Sequence, residues 1–360
     1  MYSETPHGFM EYLARARNIP VSPRRPVSVF PLLPFSPSPR LRVSVSGFVY
    51  TQRIVPHISS VEVFINIQSG LQPKEDLPRQ LQQLFAQSGV AAGITIMRNG
   101  SEVEKSARDA IHSSSPLIVV GGGDGTLSTF ASIIVSSGAE KVLGVLPLGT
   151  LNHFAQDLHI PLTLDDAVRV VLAGYQTRID VGEVNGRIFI NNSSLGLYPQ
   201  IVRERVKQQR LGHGKWPAFI WAAWTVFRRY PFVEVRLVVA REQLNCRTPF
   251  VFIGNNPYSM EAFSIGRRER LDAGILSLYI TKRAGRWGLI RLALRALFGH
   301  LRNEKDFVVM TTDHVKIESR RRRHRLRVAF DGEVDVIEPP LQYRVRPGAL
   351  RVIVPEEAPE

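Results

Sequence analysis

Pro116-Leu117-Ile118-Val119-Val120-Gly121-Gly122-Gly123-Asp124-Gly125-Thr126-Leu127 is the stretch on which the fold turns. An apolar run of strand character ends in four glycines around one aspartate. Leu127 to Ser137 then carries helical spacing. Glycines let the backbone approach a phosphate and leave N–H groups to bind it, and a helix start adds a favourable dipole. No Lys-Ser/Thr pair follows, so this is not a Walker loop. Thr126 stands where the last glycine of a dinucleotide fingerprint would be.

A second turn of the same kind follows the apolar run Val142 to Leu146. It reads Pro147-Leu148-Gly149-Thr150-Leu151-Asn152-His153-Phe154-Ala155. Upstream, Val61 to Ile65 alternates as a strand and breaks at Asn66-Ile67-Gln68-Ser69-Gly70. Leu77 to Ser88 has helical spacing, Ile94 to Met97 is a short strand, and Glu102 to His112 is a second helix. Strand and helix alternate to about Ala173, which predicts a parallel, doubly wound sheet. Both glycine-rich turns then lie at the carboxyl ends of their strands, the edge where open α/β sheets bind ligands.

The texture changes after Ile179. Short β-rich segments recur at Arg187–Ile190, Phe232–Val239, Phe250–Ile253, Ile275–Ile280, Val315–Ile317, Leu326–Phe330 and Tyr343–Val345. They predict a second, antiparallel domain, interrupted by helices over about Pro199–Arg229 and Trp287–Arg302. Residues 1–60 hold 9 of the 24 prolines and seven arginines, with two glutamates and no lysine or aspartate. Such a basic, Pro-rich segment reads as a disordered arm.

The chain has 360 residues and a net charge of +14. The charge calls for an anionic partner: nucleic acid, an acidic membrane surface or a phosphorylated substrate. A single cysteine, Cys246, excludes an internal disulfide framework. No uncharged apolar stretch reaches the ~18–20 residues that span a bilayer. A lipid substrate would be reached from outside the membrane.

These motifs resemble the lipid kinases typified by diacylglycerol, sphingosine and ceramide kinases. The family pattern GGDGT is matched by Gly122-Gly123-Asp124-Gly125-Thr126, and PxGTxNxxA by Pro147 to Ala155. Asn66 with Ser69-Gly70 matches the opening turn, with Ile67 in place of proline. Ile179-Asp180, Asn185-Gly186, Asn191-Asn192, Gly254-Asn255-Asn256, Leu271 to Leu276 and Asp331-Gly332-Glu333 follow in family order.

The resemblance implies a Rossmann-like ATP-binding domain of the NAD kinase and phosphofructokinase type over 61–178. A β-rich lipid-substrate domain, an antiparallel β-sandwich, would span 179–340. The C-terminal strand, within 341–360, would return to the first domain. It implies ATP and Mg²⁺ as cofactors. Asn66, Ser69, Gly122, Gly123, Asp124, Gly125, Thr126, Gly149, Thr150 and Asn152 would bind the nucleotide. Asp124 would hold the metal, Asp272 a second, structural metal, and Asp180 would join the metal-linked network. Glu333 would act as general base toward the lipid hydroxyl. The expected setting is cytoplasmic, on an anionic membrane surface, with no nucleic acid and with a homodimer left open. Trp216–Phe227, the helix 287–302 and the run Arg320 to Arg325 are the candidate membrane contacts.

Two positions depart from the family. His153 stands where an acidic residue often follows the asparagine, and the Asp272 turn lacks paired acids. The alternatives are an NAD kinase-like enzyme and a non-catalytic membrane-binding module on the same fold.

Overall fold

The computed structural model describes residues 60–70, 76–210, 232–239, 242–258, 267–268, 270–281, 307–319 and 325–356, with Trp221 and Thr225. The arm 1–59, the helix expected over 287–302 and residues 320–324 of the arginine run lie outside them. So does most of the stretch 211–231.

The first half alternates as expected. In chain order it comprises β1 (Ser60–Asn66), α1 (Leu77–Gln87), β2 (Ala91–Met97), α2 (Gly100–Ile111), β3 (Leu117–Gly122), α3 (Asp124–Ser137), β4 (Val142–Pro147), α4 (His153–Asp157) and α5 (Leu164–Ala173). Strands β3 and β4 are buried at every residue, which is why they read as unbroken apolar runs. Helix α2 is set by a capping box. The Asn99 carboxamide accepts from the Glu102 N–H at 2.9 Å, and Glu102 reaches back to the Arg98 N–H at 2.8 Å. Helix α3 begins inside the glycine-rich turn, three residues earlier than its spacing predicts, and stops at left-handed Gly138.

The second half contains β5 (Gln176–Val184), β6 (Arg187–Phe189), β7 (Asn192–Gly196), α6 (Leu197–Arg210), β8 (Val233–Val239), β9 (Glu242–Thr248) and β10 (Phe250–Asn255). Then come β11 (Leu276–Thr281), β12 (Phe307–Thr312), β13 (His314–Ser319), β14 (Leu326–Phe330), β15 (Glu333–Ile337) and β16 (Leu341–Ile353). Strands β5, β7, β9, β12 and β15 were not expected. β7 (Asn-Ser-Ser-Leu-Gly) and β9 (Glu-Gln-Leu-Asn-Cys-Arg-Thr) lack the Val, Ile and aromatic content that marks a strand, and neighbouring strands supply the pairing that propensity does not.

The parallel strands do not stop at a domain border. One ten-stranded sheet runs β2-β1-β3-β4-β16-β13-β8-β9, with β5 and β6 branching from β16. β16 makes this continuity. Its first part pairs antiparallel with β13 and β5. After a register shift between Arg346 and Leu350, its last part lies parallel to β4 through Arg351↔Val142 and Val352↔Leu143. A six-stranded antiparallel sheet, β12-β11-β10-β7-β14-β15, packs against the antiparallel end as a sandwich. One core lies between the parallel strands and their helices, where Phe64 and Phe130 rings meet at 5.3 Å. The other lies inside the sandwich, where Phe189 meets Tyr343 at 6.3 Å.

Candidate active site

Three turns interlock at the carboxyl ends of β1, β3 and β4. The Asn66 amide donates to Thr126 Oγ1 at 2.9 Å, and Ser69 Oγ accepts from the Gly123 N–H at 3.2 Å. A Cβ on Gly149 would sit 2.5 Å from Gly123 Cα, and one on left-handed Gly70 would sit 2.6 Å from the Leu148 carbonyl. Only glycine lets these backbones approach so closely. Asn152, itself left-handed and buried, folds the second turn. Its Oδ1 accepts from the Gly149 N–H at 2.8 Å, and its Nδ2 donates to the Pro147 and Gly149 carbonyls at 3.2 Å. Asn152 therefore shapes the turn from within. Gly125 and Thr150 are exposed at this edge, and a Cβ on Gly125 would meet nothing.

Asp124, the first residue of α3, also serves another helix. Its Oδ1 accepts from the Phe154 N–H at 2.9 Å and its Oδ2 from the His153 N–H at 3.2 Å. A helix start leaves such N–H groups unpaired and favours negative charge. The carboxylate thus ties the first glycine turn to α4. His153, where an acid was the family's usual choice, is exposed and contributes its backbone to this contact.

The other wall is the β14–β15 hairpin. Asp331 and Gly332 both have positive φ, 47° and 87°, and Phe330 pairs with Glu333, so the turn has two residues. The Asp331 carboxylate accepts from Ser128 Oγ at 2.5 Å and from the N–H groups of Ile190, Asn191 and Asn192 at 2.7, 2.8 and 3.1 Å. Burial pushes its pKa up, while these four donors pull the other way. Glu333 also titrates above the ordinary carboxylate value. Desolvation comes first, then the Asp331 charge; Arg187 opposes and Glu104 adds. By accessible surface Glu333 is exposed, which limits that rise.

Ser128 lies one helical turn beyond Asp124, on the same face of α3. The glycine turns and the Glu333 hairpin are thus held against one helix. Neither Ser128 nor Asp331 was a candidate. Asp331-Gly332-Glu333 was legible only as a family-order motif, and nothing local announced that the Asp331 carboxylate would reach a helix 203 residues away in sequence.

The carboxylates of Asp180 and Asp272 have partners outside this group. Asp180 is 2% exposed, and its oxygens accept from the Gly274 N–H at 2.6 Å and the Gly348 N–H at 2.9 Å. It staples the 271–274 turn to the register shift in β16. Asp272 pairs with Arg270 Nε at 3.0 Å. Among the described residues, no three His, Cys, Asp or Glu side chains gather as a metal cluster. A magnesium ion needs only one or two carboxylates if phosphates and waters complete its shell. Asp124 fits that demand, because each oxygen spends one bond on α4 and keeps capacity for another. Asp272 would have to give up its contact with Arg270 to take a structural cation.

A buried ion pair completes the region. Arg268 and Asp157 are buried, with Nη2–Oδ2 at 2.8 Å. Arg268 also donates to the Ile190 and Asn255 carbonyls at 2.7 and 3.2 Å and to Asn191 Oδ1 at 2.7 Å.

Residues 60–184 match the sequence profile of the diacylglycerol kinase catalytic domain. Residues 196–354 match that of the YegS C-terminal NAD kinase beta sandwich-like domain. Over 131 residues the chain is 32% identical to a diacylglycerol kinase of Staphylococcus aureus (strain JH9), and equally to that of strain Newman. The match covers 36% of this chain and 41% of each relative. The chain thus spans about two-fifths of the length of these curated relatives. A crystal structure of a diacylglycerol kinase from Bacillus anthracis str. Sterne superimposes with a TM-score of 0.61 at 17% identity, covering 84% of this chain and 99% of that one. A second from the same organism gives 0.64 at 19% identity over the same shares. At such identity the likeness is one of fold.

Proposed function

We propose, from the premise that the chain belongs to the diacylglycerol kinase family, that it is an ATP-dependent lipid kinase. It would transfer the γ-phosphate to a hydroxyl group of a diacylglycerol-like or sphingoid-like membrane lipid. The observation that carries this reading is the docking of two elements on α3: the interlocked glycine turns at its start, and the Glu333 hairpin one helical turn further on.

In this reading the α3 start and the glycine turns at 122–126 and 149–152 cradle the phosphates with backbone N–H groups. Asn66, Ser69 and Thr126 brace that cradle, and Thr150 contributes at its rim. Asp124 would hold Mg²⁺, which would supply neutralisation of charge on the phosphates. Glu333 takes the proton of the acceptor hydroxyl as its oxygen attacks the γ-phosphorus and ADP leaves. Its raised pKa moves it toward the range where a carboxylate is an effective base. Asp180 supports the site through the two backbone turns it joins. We place the nucleotide part at 61–178 and the lipid-substrate part at 179–340. The returning strand within 341–360 joins them, and the β16–β4 pairing supports that return.

No helix among the described residues is long and apolar enough to cross a membrane. The net charge of +14 and the exposed Trp221 support docking on an anionic bilayer from the cytoplasmic side. The test is transfer of label from [γ-³²P]ATP to a total lipid extract, with and without Mg²⁺, followed by chromatography. A labelled lipid that needs Mg²⁺ is expected. Label on NAD⁺ instead, or on no lipid, would overturn the reading.

A further inference from the structure

Hydrogen bonds around the site close on themselves. Asp124 binds the start of α4 through the His153 and Phe154 N–H groups. At the end of the same helix, Asp157 holds Arg268 by its backbone N–H at 3.2 Å and its guanidinium Nε at 2.9 Å. Arg268 grips the bend at 190–191 through the Ile190 carbonyl and Asn191 Oδ1. That bend gives three N–H groups to Asp331. Asp331 takes the Ser128 hydroxyl, and Ser128 returns along α3 to Asp124.

We infer that Ser128 and Asp331 are positioning residues. They hold the Glu333 hairpin at a fixed distance from the nucleotide turn, as the last link of this closed circuit. The assignment rests on the lipid-kinase reading for its kinetic meaning but not for its geometry.

The physical argument is one of constraint. Glu333 is exposed and is the first residue of β15, directly after the two-residue turn, where a strand end alone would let it swing. Asp331, two residues away, is anchored by four donors from two separate elements. Three come from the bend at 190–192 and fix the hairpin to the sandwich side. The fourth, from Ser128, is the one that ties it to the nucleotide helix. Removing the Ser128 hydroxyl alone leaves three bonds and the hairpin intact. What it releases is the registration of Glu333 against the phosphates. A misplacement of about 1 Å at a reacting group can cost ~100-fold in rate.

The experiment uses the full chain with Ser128→Ala, Ser128→Thr and Glu333→Gln, and the double variant Ser128→Ala/Glu333→Gln. Alanine is the strongest helix former, so Ser128→Ala preserves α3. We expect Ser128→Ala to lower kcat by roughly 10- to 100-fold with the KM for ATP within about twofold. Ser128→Thr, which restores a hydroxyl, should recover most of the loss. The double variant should be no slower than Glu333→Gln alone, because a misplaced base cannot matter once the base is gone. A kcat within about twofold of wild type in Ser128→Ala would overturn the inference. So would losses that multiply in the double variant. If the unmodified protein transfers no phosphate to lipid, the lipid-kinase reading fails and the clamp is judged by hydrogen exchange. Ser128→Ala should then speed exchange of the Asp331 amide, which bonds the Asn192 carbonyl at 2.9 Å, by about threefold or more. Unchanged exchange there would overturn the clamp.

Discussion

The two walls of the site are built by opposite means. The edge proposed to bind the nucleotide is made of three short turns, at 66–70, 121–126 and 147–152, each following its own parallel strand. Glycines at 70, 123 and 149 press backbone against backbone there, and Gly122 leaves room for the Thr126 side chain. The opposite wall is one exposed glutamate on a hairpin, held by a carboxylate whose four partners come from residues 128 and 190–192. The first wall is rigid by shape and the second by hydrogen bonding. A shape-built wall fails when an atom is added. A bond-built wall fails when one is removed.

The largest expected effect tests the second wall. Glu333→Gln should lower kcat by roughly 10²–10⁴, the usual worth of general acid–base catalysis, with ATP affinity almost unchanged. If ATP affinity collapses while kcat survives, Glu333 belongs to the nucleotide side and the contrast dissolves. Asp124→Asn probes the first wall and should cost on the order of 10²–10³, like the loss of one charge-stabilising group. That variant should weaken the use of Mg-ATP as well. Because Asp124 also holds α4, its melting temperature should be measured beside its activity. Near-wild-type turnover in the folded variant would remove Asp124 from the site.

Glycine substitutions sharpen the comparison further. Gly149→Ala drives a Cβ to 2.5 Å from Gly123 Cα, and such overpacking costs about 1–3 kcal/mol. Gly125→Ala meets nothing within 4 Å and should leave thermal stability nearly unchanged. Equal destabilisation by both would deny that the wall is built by shape.

The pH dependence is smaller. Glu333 is held above the ordinary carboxylate value by desolvation and by Asp331, with Arg187 opposing and Glu104 adding. Activity should fall as pH drops through that raised value, so the acid limb of kcat/KM should lie above a normal glutamate and vanish in Glu333→Gln. The stability sign is opposite. A raised folded-state pKa gives stability that is present at low pH and lost as pH rises through it. Glu333→Gln should therefore not lower the melting temperature at neutral pH. A clear drop would show Glu333 to be structural. The smallest expected effect is deletion of residues 1–55, whose composition lacks core periodicity. Activity within about twofold and an unchanged melting temperature are expected.

The placing of the glycine turns at one sheet edge was almost fully legible. Strand–glycine–helix spacing is local, and residues such as Gly123 and Thr126 declare their place in the turn within six positions of sequence. The inner role of Asn152 was not, because an asparagine's choice between binding a ligand and folding its own turn depends on left-handed backbone that only the fold reveals. β7 and β9 were missed because their polar sequences are strands by virtue of their neighbours. Asp180 was assigned to the metal network. The structure adds that its oxygens accept from the Gly274 and Gly348 N–H groups, glycines 94 and 168 residues distant, which no local window records.

By itself, the sequence determined the parallel half, the glycine turns at one of its edges and the family motifs, since periodicity and glycine spacing act over a few residues. Only the tertiary structure decided that β16 would fuse the two halves into one sheet. It alone brought Asp331 to Ser128 and closed Asp157 on Arg268. Those contacts join residues more than a hundred positions apart. Their energy comes from burial and mutual pairing, which no short window of sequence records.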